Sequence, residues 1–199
     1  TVQSSATQDI LNRHGGWWRM VIAGDEADAV MLAGERVFEI DEGSPVIFEV
    51  RLRTSDSNVS AIWVGLTDDP VESLAIPYTV EDGTGELVTA TDQVGFLLEG
   101  ETDETWQAVG AQNGTGNTAE ALTTGPDSAD DTTITLRMEL WPDDGGTVEY
   151  SINGKLVATK TNWFRSGILF CPAVACDDRG TAFNLDIDYI FCTAPRGAT

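Results

Sequence analysis

Residues Thr132–Thr161 read TTITLRMELWPDDGGTVEYSINGKLVATKT. Ile134, Leu136, Met138 and Leu140 alternate with Thr135, Arg137 and Glu139. That is the period of a strand with one buried and one solvated face. Pro142-Asp143-Asp144-Gly145-Gly146 interrupts the run as a turn. Val148, Tyr150 and Ile152 then alternate with Thr147, Glu149 and Ser151. Asn153-Gly154 follows, the residue pair that a type I′ hairpin turn favours because both positions need positive φ. A two-residue turn there places Tyr150 opposite Val157. This stretch alone spells a run of antiparallel strands.

The same period extends outward. Phe48, Val50 and Leu52 alternate with Glu49, Arg51 and Arg53. Short apolar runs occupy Ala61–Leu66 and Val94–Leu98, and Thr105–Ala111 reads as a further strand. A closing strand carries Phe183, Leu185, Ile187, Tyr189 and Phe191 on one side. Its other side carries Asn184, Asp186 and Asp188, then Ile190 and Cys192. The main loops are Thr67–Pro70, Glu81–Glu86 and the long Gly110–Asp131. About ten or more short strands with turns between them predict an all-β antiparallel two-sheet sandwich. No tandem repeat is visible, which excludes a propeller or solenoid. Residues 1–34 differ: they hold Gly15-Gly16-Trp17-Trp18 and an Ala/Asp/Glu-rich stretch, and read as an N-terminal arm with a short helix or an early strand, with the sandwich at 35–199.

The chain has 199 residues, 11 Lys+Arg against 33 Asp+Glu, and a net charge of -22. Such a chain repels nucleic acid, whose affinity depends on Lys and Arg releasing counterions, and it repels anionic membranes. Hydrophobic residues at 41% and six Trp argue for a folded domain and against an acidic disordered tail. The longest apolar windows, such as Ile168–Cys176, are far shorter than the ~20 residues of a membrane-spanning helix. Thr1–Ser5 lacks a basic segment followed by an apolar one, so the sequence predicts no retained signal peptide. Cys171, Cys176 and Cys192 lie in apolar stretches and read as buried free thiols, one disulfide plus a free thiol being the alternative. No zinc spacing is present, because the single His14 is remote.

"L-R-x-E", then "x-Y-x-x-N-G-x-L-V-A" in Thr132–Thr161, and the closing FNLDIDYIF, resemble the penultimate hairpin and the last strand of concanavalin A-like lectin/glucanase jelly rolls, including laminin-G-like domains. FEVRLR, IWVGLTD, VGFLLEG and WQAVGAQNG resemble, in that order, a subset found in tailed-phage virion proteins. The resemblance spans roughly Glu35–Cys192 and rests on pattern, with no invariant motif. It implies a jelly roll and a capsid decoration (cement) protein on the outer surface of a phage head, made in the host cytoplasm. The partners so implied are the major capsid protein and further copies of the chain, as a homotrimer. The alternatives are a carbohydrate-binding, lectin-like module or a head-fibre or tail-associated adhesion domain.

The candidate sites follow. Trp17, Trp18, Arg13 and Arg19 in the arm read as anchors for a neighbouring subunit or the capsid, as buried aromatics and Arg are at interfaces. The other reading folds Trp17 and Trp18 back on their own sandwich. Trp141, Arg137 and Glu139 are placed to form part of a glycan-stacking sheet face. Trp63 and Trp106 read as core or sheet-face residues, and Trp163 as an edge cap. Glucanases of the resembling superfamily place Glu-x-Asp-x-(x)-Glu on one strand, and glycosidases need two carboxylates flanking the sugar bond. Asp186 with Asp188, and Glu99, Glu101 and Glu104, do not make that motif. No Gly-x-Ser-x-Gly elbow or P-loop is present. The expectation is a protein that is not an enzyme and needs no cofactor. The resemblance also implies calcium, for which Asp68-Asp69, Asp130-Asp131, Asp143-Asp144 and Asp177-Asp178 are the candidate oxygen donors.

An Asp-rich chain with only two lysines, Lys155 and Lys160, suits salty water, where screening weakens self-repulsion. The melting temperature is expected to rise as NaCl goes from roughly 0.01 to 1 M, over which the Debye length falls from about 30 to 3 Å. A melting temperature unchanged across that range, followed by circular dichroism, contradicts this.

Overall fold

The computed structural model describes residues 7–10, 16–24, 29–40, 45–70, 76–81, 85–100, 103–122, 130–143, 145–178 and 180–194. Its strands are β1 (Thr7–Ile10), β2 (Trp18–Ile22), β3 (Ala29–Ala33), β4 (Phe38–Glu39), β5 (Val46–Thr54), β6 (Ser60–Thr67), β7 (Tyr78–Glu81) and β8 (Gly85–Val88). There follow β9 (Gln93–Glu99), β10 (Asp103–Gln112), β11 (Thr115–Ala121), β12 (Ile134–Trp141), β13 (Thr147–Ile152), β14 (Lys155–Thr161), β15 (Leu169–Asp178) and β16 (Phe183–Thr193).

Sheet I runs β1-β2-β16-β5-β12-β13-β14, and sheet II runs β11-β10-β9-β6-β15-β3. β4 pairs with β15 beside residues Leu169 and Phe170, continuing the edge that β3 occupies at Ala173–Asp177. β7 and β8 form a separate hairpin. Every pairing is antiparallel, so the sandwich follows from the alternation read in Thr132–Thr161. Phe48, Val50 and Leu52 from β5 meet Ile62, Val64 and Leu66 from β6, and Val94, Phe96 and Leu98 from β9, in one core. Phe96 sits edge-on to Tyr150 at 5.0 Å between ring centroids, and edge-on to Trp106 at 6.4 Å. Edge-to-face pairs of this kind contribute about 0.5–1.5 kcal/mol each beyond the area they bury.

Four readings are corrected. Residues 18–22 and 29–33 are strands of the sandwich and not an arm outside it: Met20, Ile22, Val30 and Met31 are buried. Their runs of five residues are too short to show a period beside the Trp17-Trp18 cluster. Asn153 and Gly154 do turn with φ of 50° and 77°, but the register slips between Tyr150 and Ser151, so Tyr150 faces Ala158 and not Val157. In β16 the register slips between Ile187 and Tyr189. Such a bulge turns the following side chains to the opposite face. Ile190 and Cys192 therefore pack on the core. Tyr189 and Phe191 emerge into solvent, 37% and 48% exposed. Finally, the loop read at Gly110–Asp131 holds a hairpin: β11 returns along β10 through Asn113-Gly114, with φ of 54° and 74°. The same two residue types as at Asn153-Gly154 carry this turn, but the Thr/Asn/Gly-rich flank has no alternation to reveal it.

The outer face of sheet II is closed. Ala61, Trp63, Leu97, Val109, Ala173, Ala175 and Met31 pack beneath Ile76, Tyr78 and Val88. Gly65 and Gly95 are cross-strand partners in this sheet. A β-carbon on Gly95 would stand 2.5 Å from the Val64 carbonyl oxygen and 3.0 Å from the Trp63 indole. The missing side chain is therefore the space that the indole uses, with its Nε1 donating to Gln93 Oε1 at 3.0 Å. Gly95→Ala is expected to destabilise the fold by about 1–3 kcal/mol through overpacking, read as a lower urea midpoint with an unchanged slope. A midpoint equal to wild type contradicts it.

Candidate functional site

Among the described residues, the sheet face left open is the outer face of sheet I. Its polar side chains are the partners in the alternation: Arg19 from β2, Asp186 from β16, Glu49, Arg51 and Arg53 from β5, and Arg137 and Glu139 from β12. They form a ladder of ion pairs. Arg19 donates from Nε to Asp186 Oδ1 at 2.6 Å and from Nη2 to Oδ2 at 2.8 Å. Arg53 donates to the same Asp186 Oδ2 from Nε at 2.9 Å and Nη2 at 2.6 Å. Arg51 Nη1 reaches Asp188 Oδ2 at 3.0 Å. Arg137 bridges Glu49 at 3.3 Å and Glu139 at 2.7 Å. Tyr189 donates its hydroxyl to Glu49 Oε1 at 2.6 Å. That bond, then burial, holds the Tyr189 proton above its ordinary range.

The structure brings Trp141, Arg137 and Glu139 together on this face, as β12 alternation requires. Trp141 is 40% exposed at the end of the strand. Tyr189 and Phe191, which an unbroken alternation would keep on the side of Ile187, join them on the same face. Phe191 lies across from Glu49, and Glu49 across from Arg137. Two strand spacings and four residues along β12 separate Phe191 from Trp141, roughly 16 Å by sheet geometry. The ladder of Glu49, Arg137 and Glu139 occupies the ground between.

The arm residues are placed otherwise. Trp17 lies against Arg51 and Arg53, whose guanidinium carbons stand 5.9 and 5.4 Å from its ring centre. Trp18 packs on the core, and Arg19 is committed to Asp186. All three rest on their own sandwich. Arg13 and His14 lie outside the described residues.

Three of the acid pairs supply an acceptor to a loop or turn. Asp130 Oδ1 accepts from Ser57 N at 2.8 Å and Ser57 Oγ at 3.0 Å. Asp143 Oδ2 accepts from the Thr147 hydroxyl at 2.6 Å, and Asp144 lies outside the described residues. Asp68 Oδ1 accepts from Asp92 N at 2.9 Å; burial first, and the Asp92 charge with it, raises its pKa. Asp177 sits between Ala29 and Ala61 in the sheet. Among the described residues no three acid, Cys or His side chains converge as metal ligands. Asp92, fully buried, takes Arg165 Nε at 2.8 Å.

Of the carboxylates weighed for glycosidase chemistry, Asp186 and Asp188 are committed to arginines and Glu99 is enclosed. Burial alone would raise the Asp186 pKa, but its hydrogen bonds from Arg19 and Arg53 outweigh that and hold it below the ordinary carboxylate range. Glu99 is buried, and Glu101 lies outside the described residues. The three thiols are free. Burial pushes Cys171 to about 11 and Cys192 to about 12, and Cys176 higher still, so each is neutral and unreactive near pH 7.

No family model matches the chain, and no curated protein sequence matches it significantly. Solved structures do match. Bacillus licheniformis β-glucanase superposes with a TM-score of 0.61 at 14% identity, covering 98% of this chain and 92% of that one. An endo-β-1,4-glucuronan lyase from the fungus Trichoderma reesei gives 0.62 at 10% identity, covering 98% and 90%. The carbohydrate recognition domain of Emp47p gives 0.60 at 13% identity, covering 96% and 86%. The fold is therefore the antiparallel jelly roll shared by concanavalin A-like glucanases and lectin domains, a scaffold that carries enzymes and non-enzymes alike.

Asp186→Asn leaves two arginines facing a neutral amide at a site 3% exposed. The expected loss is about 3–5 kcal/mol, as when one partner of a buried pair is removed. The depressed folded-state pKa means that wild-type Asp186 stabilises the fold above its unfolded-state value and loses this as pH falls through the lower folded value. The gap between the wild type and Asp186→Asn should hold at pH 7 and narrow below about pH 4. A gap constant from pH 7 to pH 2, measured by urea unfolding, contradicts the assignment.

Proposed function

We propose that the chain is a non-catalytic glycan-binding module whose ligand lies along the outer face of sheet I. The observation that carries this is the exposure of Trp141, Tyr189 and Phe191 on one polar sheet face. Sugar rings present apolar C–H faces and polar hydroxyl rims. Aromatic rings spaced along a sheet stack on the former, and the Glu49–Arg137–Glu139 ladder offers donors and acceptors to the latter. The roughly 16 Å between Phe191 and Trp141 suits a chain of several sugars better than a single one. The face holds four arginines beside its acids, so it is far less negative than a chain of charge -22 would be elsewhere. The fold neighbours named above include a carbohydrate recognition domain and a β-glucanase, which supports the same reading. The capsid-decoration role, with its major capsid protein partner, trimer and virion location, rests on the phage-type sequence blocks alone.

The test is affinity electrophoresis of the whole chain through gels containing β-glucan, xylan or mannan. At least one polysaccharide should retard the wild type. Trp141→Ala and Phe191→Ala should each weaken binding by tenfold or more while melting as wild type does. Val37→Ala, exposed on another surface, should bind normally. Wild-type mobility unaffected by every polysaccharide, or Trp141→Ala and Phe191→Ala retarded as strongly as wild type, sinks the proposal.

A further inference from the structure

The aromatic line on sheet I does not end at Tyr189. Trp18 pairs with Ile187, so the antiparallel count carries Trp17 to the level of Asp188, one residue from Tyr189. Alternation along β2 sends Trp18, Met20 and Ile22 to the core, and Trp17 and Arg19 to the outer face. The bulge between Ile187 and Tyr189 turns Tyr189 and Phe191 to that same face. Four aromatic residues thus share it: Trp17, Tyr189, Phe191 and Trp141.

Trp17 is placed as a platform and not as core. It is half-buried and belongs to neither apolar cluster. Arg53 and Arg51 lie against its ring, with guanidinium carbons 5.4 and 5.9 Å from the centre. Each of those arginines is itself fixed, Arg53 by Asp186 at 2.6 Å and Arg51 by Asp188 at 3.0 Å. A ring held on one side by two anchored cations keeps its orientation, so little ordering cost remains when a second flat group stacks on its other side. The Arg51 side chain is 46% exposed and offers N–H groups to hydroxyls beside that stack. Both cations are already matched by a carboxylate, so an uncharged sugar fits here better than an acidic one, which a chain of charge -22 repels.

Distance sets what this end adds. Leu140 pairs with Val46, so Trp141 at one end of the face and Arg53 at the other stand eight residue steps and one strand apart. That is roughly 27 Å by sheet geometry, against roughly 16 Å between Trp141 and Phe191. We infer that Trp17 and Arg51 form an end subsite of the glycan-binding face, and that the ligand is a long, uncharged chain lying from Trp141 past Phe191 and Tyr189 to Trp17. The inference rests on the glycan-binding reading above and gives that site its far end and its length.

Titration calorimetry of the whole chain with cello-, xylo- and manno-oligosaccharides, each from trisaccharide to octasaccharide, tests it. In the series that binds, wild-type affinity should climb through the longest members. Trp17→Ala should bind the trisaccharide within about twofold of wild type and the octasaccharide at least about fivefold more weakly, the worth of one aromatic stack. Arg51→Gln should show the same growth of loss with length. A loss equal at every length, or no loss at the octasaccharide, overturns the inference. Should Trp17→Ala melt lower than wild type, the wild-type spectrum decides: the Trp17 indole N–H, assigned in ¹⁵N-edited spectra by its loss in Trp17→Phe, should shift saturably with the octasaccharide, and an unmoved signal overturns the inference. If Trp141→Ala weakens octasaccharide binding while Trp17→Ala does not, this inference falls and the proposed function stands. If no series binds the wild type, both fall.

Discussion

One carboxylate holds sheet I together across three strands. Asp186 on β16 receives Arg19 from β2 on one side and Arg53 from β5 on the other. A carboxylate that is 3% exposed is costly unless its charge is met and its lone pairs are filled, and two guanidinium groups do both. The consequence reaches beyond the pair. Arg19 ties the short β2 strand to the sheet, which brings Met20 and Ile22 into the core. Arg53, held by Asp186, gives Trp17 a cation to lie against. The N-terminal strand is thus fixed on its outer side by charge and on its inner side by apolar burial.

The same clamp shapes the rest of the surface. A chain with 11 basic and 33 acidic residues spends Arg19, Arg51, Arg53 and Arg137 on one face. That face is left polar but nearly balanced, while the acid excess falls on the other surfaces. Paired charges on that face leave fewer uncompensated carboxylates to be desolvated beneath a neutral ligand. Exposed pairs such as Arg51 with Asp188 add little stability. Their effect is to fix side chains in place between the aromatic residues and so lower the ordering cost of binding.

The sequence was legible where a strand is long and half-buried. β5, β12 and β13 alternate without a break, and the fold class follows from them. It was misread where a single residue breaks the count. In β16 the bulge at Asp188 exchanges the faces of Tyr189, Ile190, Phe191 and Cys192. An unbroken alternation puts the two aromatics inside, and no Gly or Pro marks the slip. Half of the candidate binding face was hidden for that reason. The β10–β11 hairpin was missed because β11, Thr115–Ala121, is an edge strand of mostly small and polar residues with no buried stripe of its own. The ion-pair ladder was visible only as scattered charges, because the partners are up to 167 residues apart in sequence.

The edges of the sandwich show how local charge and site geometry meet. Both lysines of the chain, Lys155 and Lys160, lie on β14, the last strand of sheet I. Lysine on an open edge discourages pairing with another chain's strand, and in a protein so rich in acid it is a scarce means of doing so. Lys160 also reaches across to Glu120 on β11, the last strand of sheet II. This contact draws the two open edges together on one side of the sandwich. Trp163, just beyond β14, is thereby held over Gly110 with Lys160 across its ring. Gly110 admits the indole because it has no side chain.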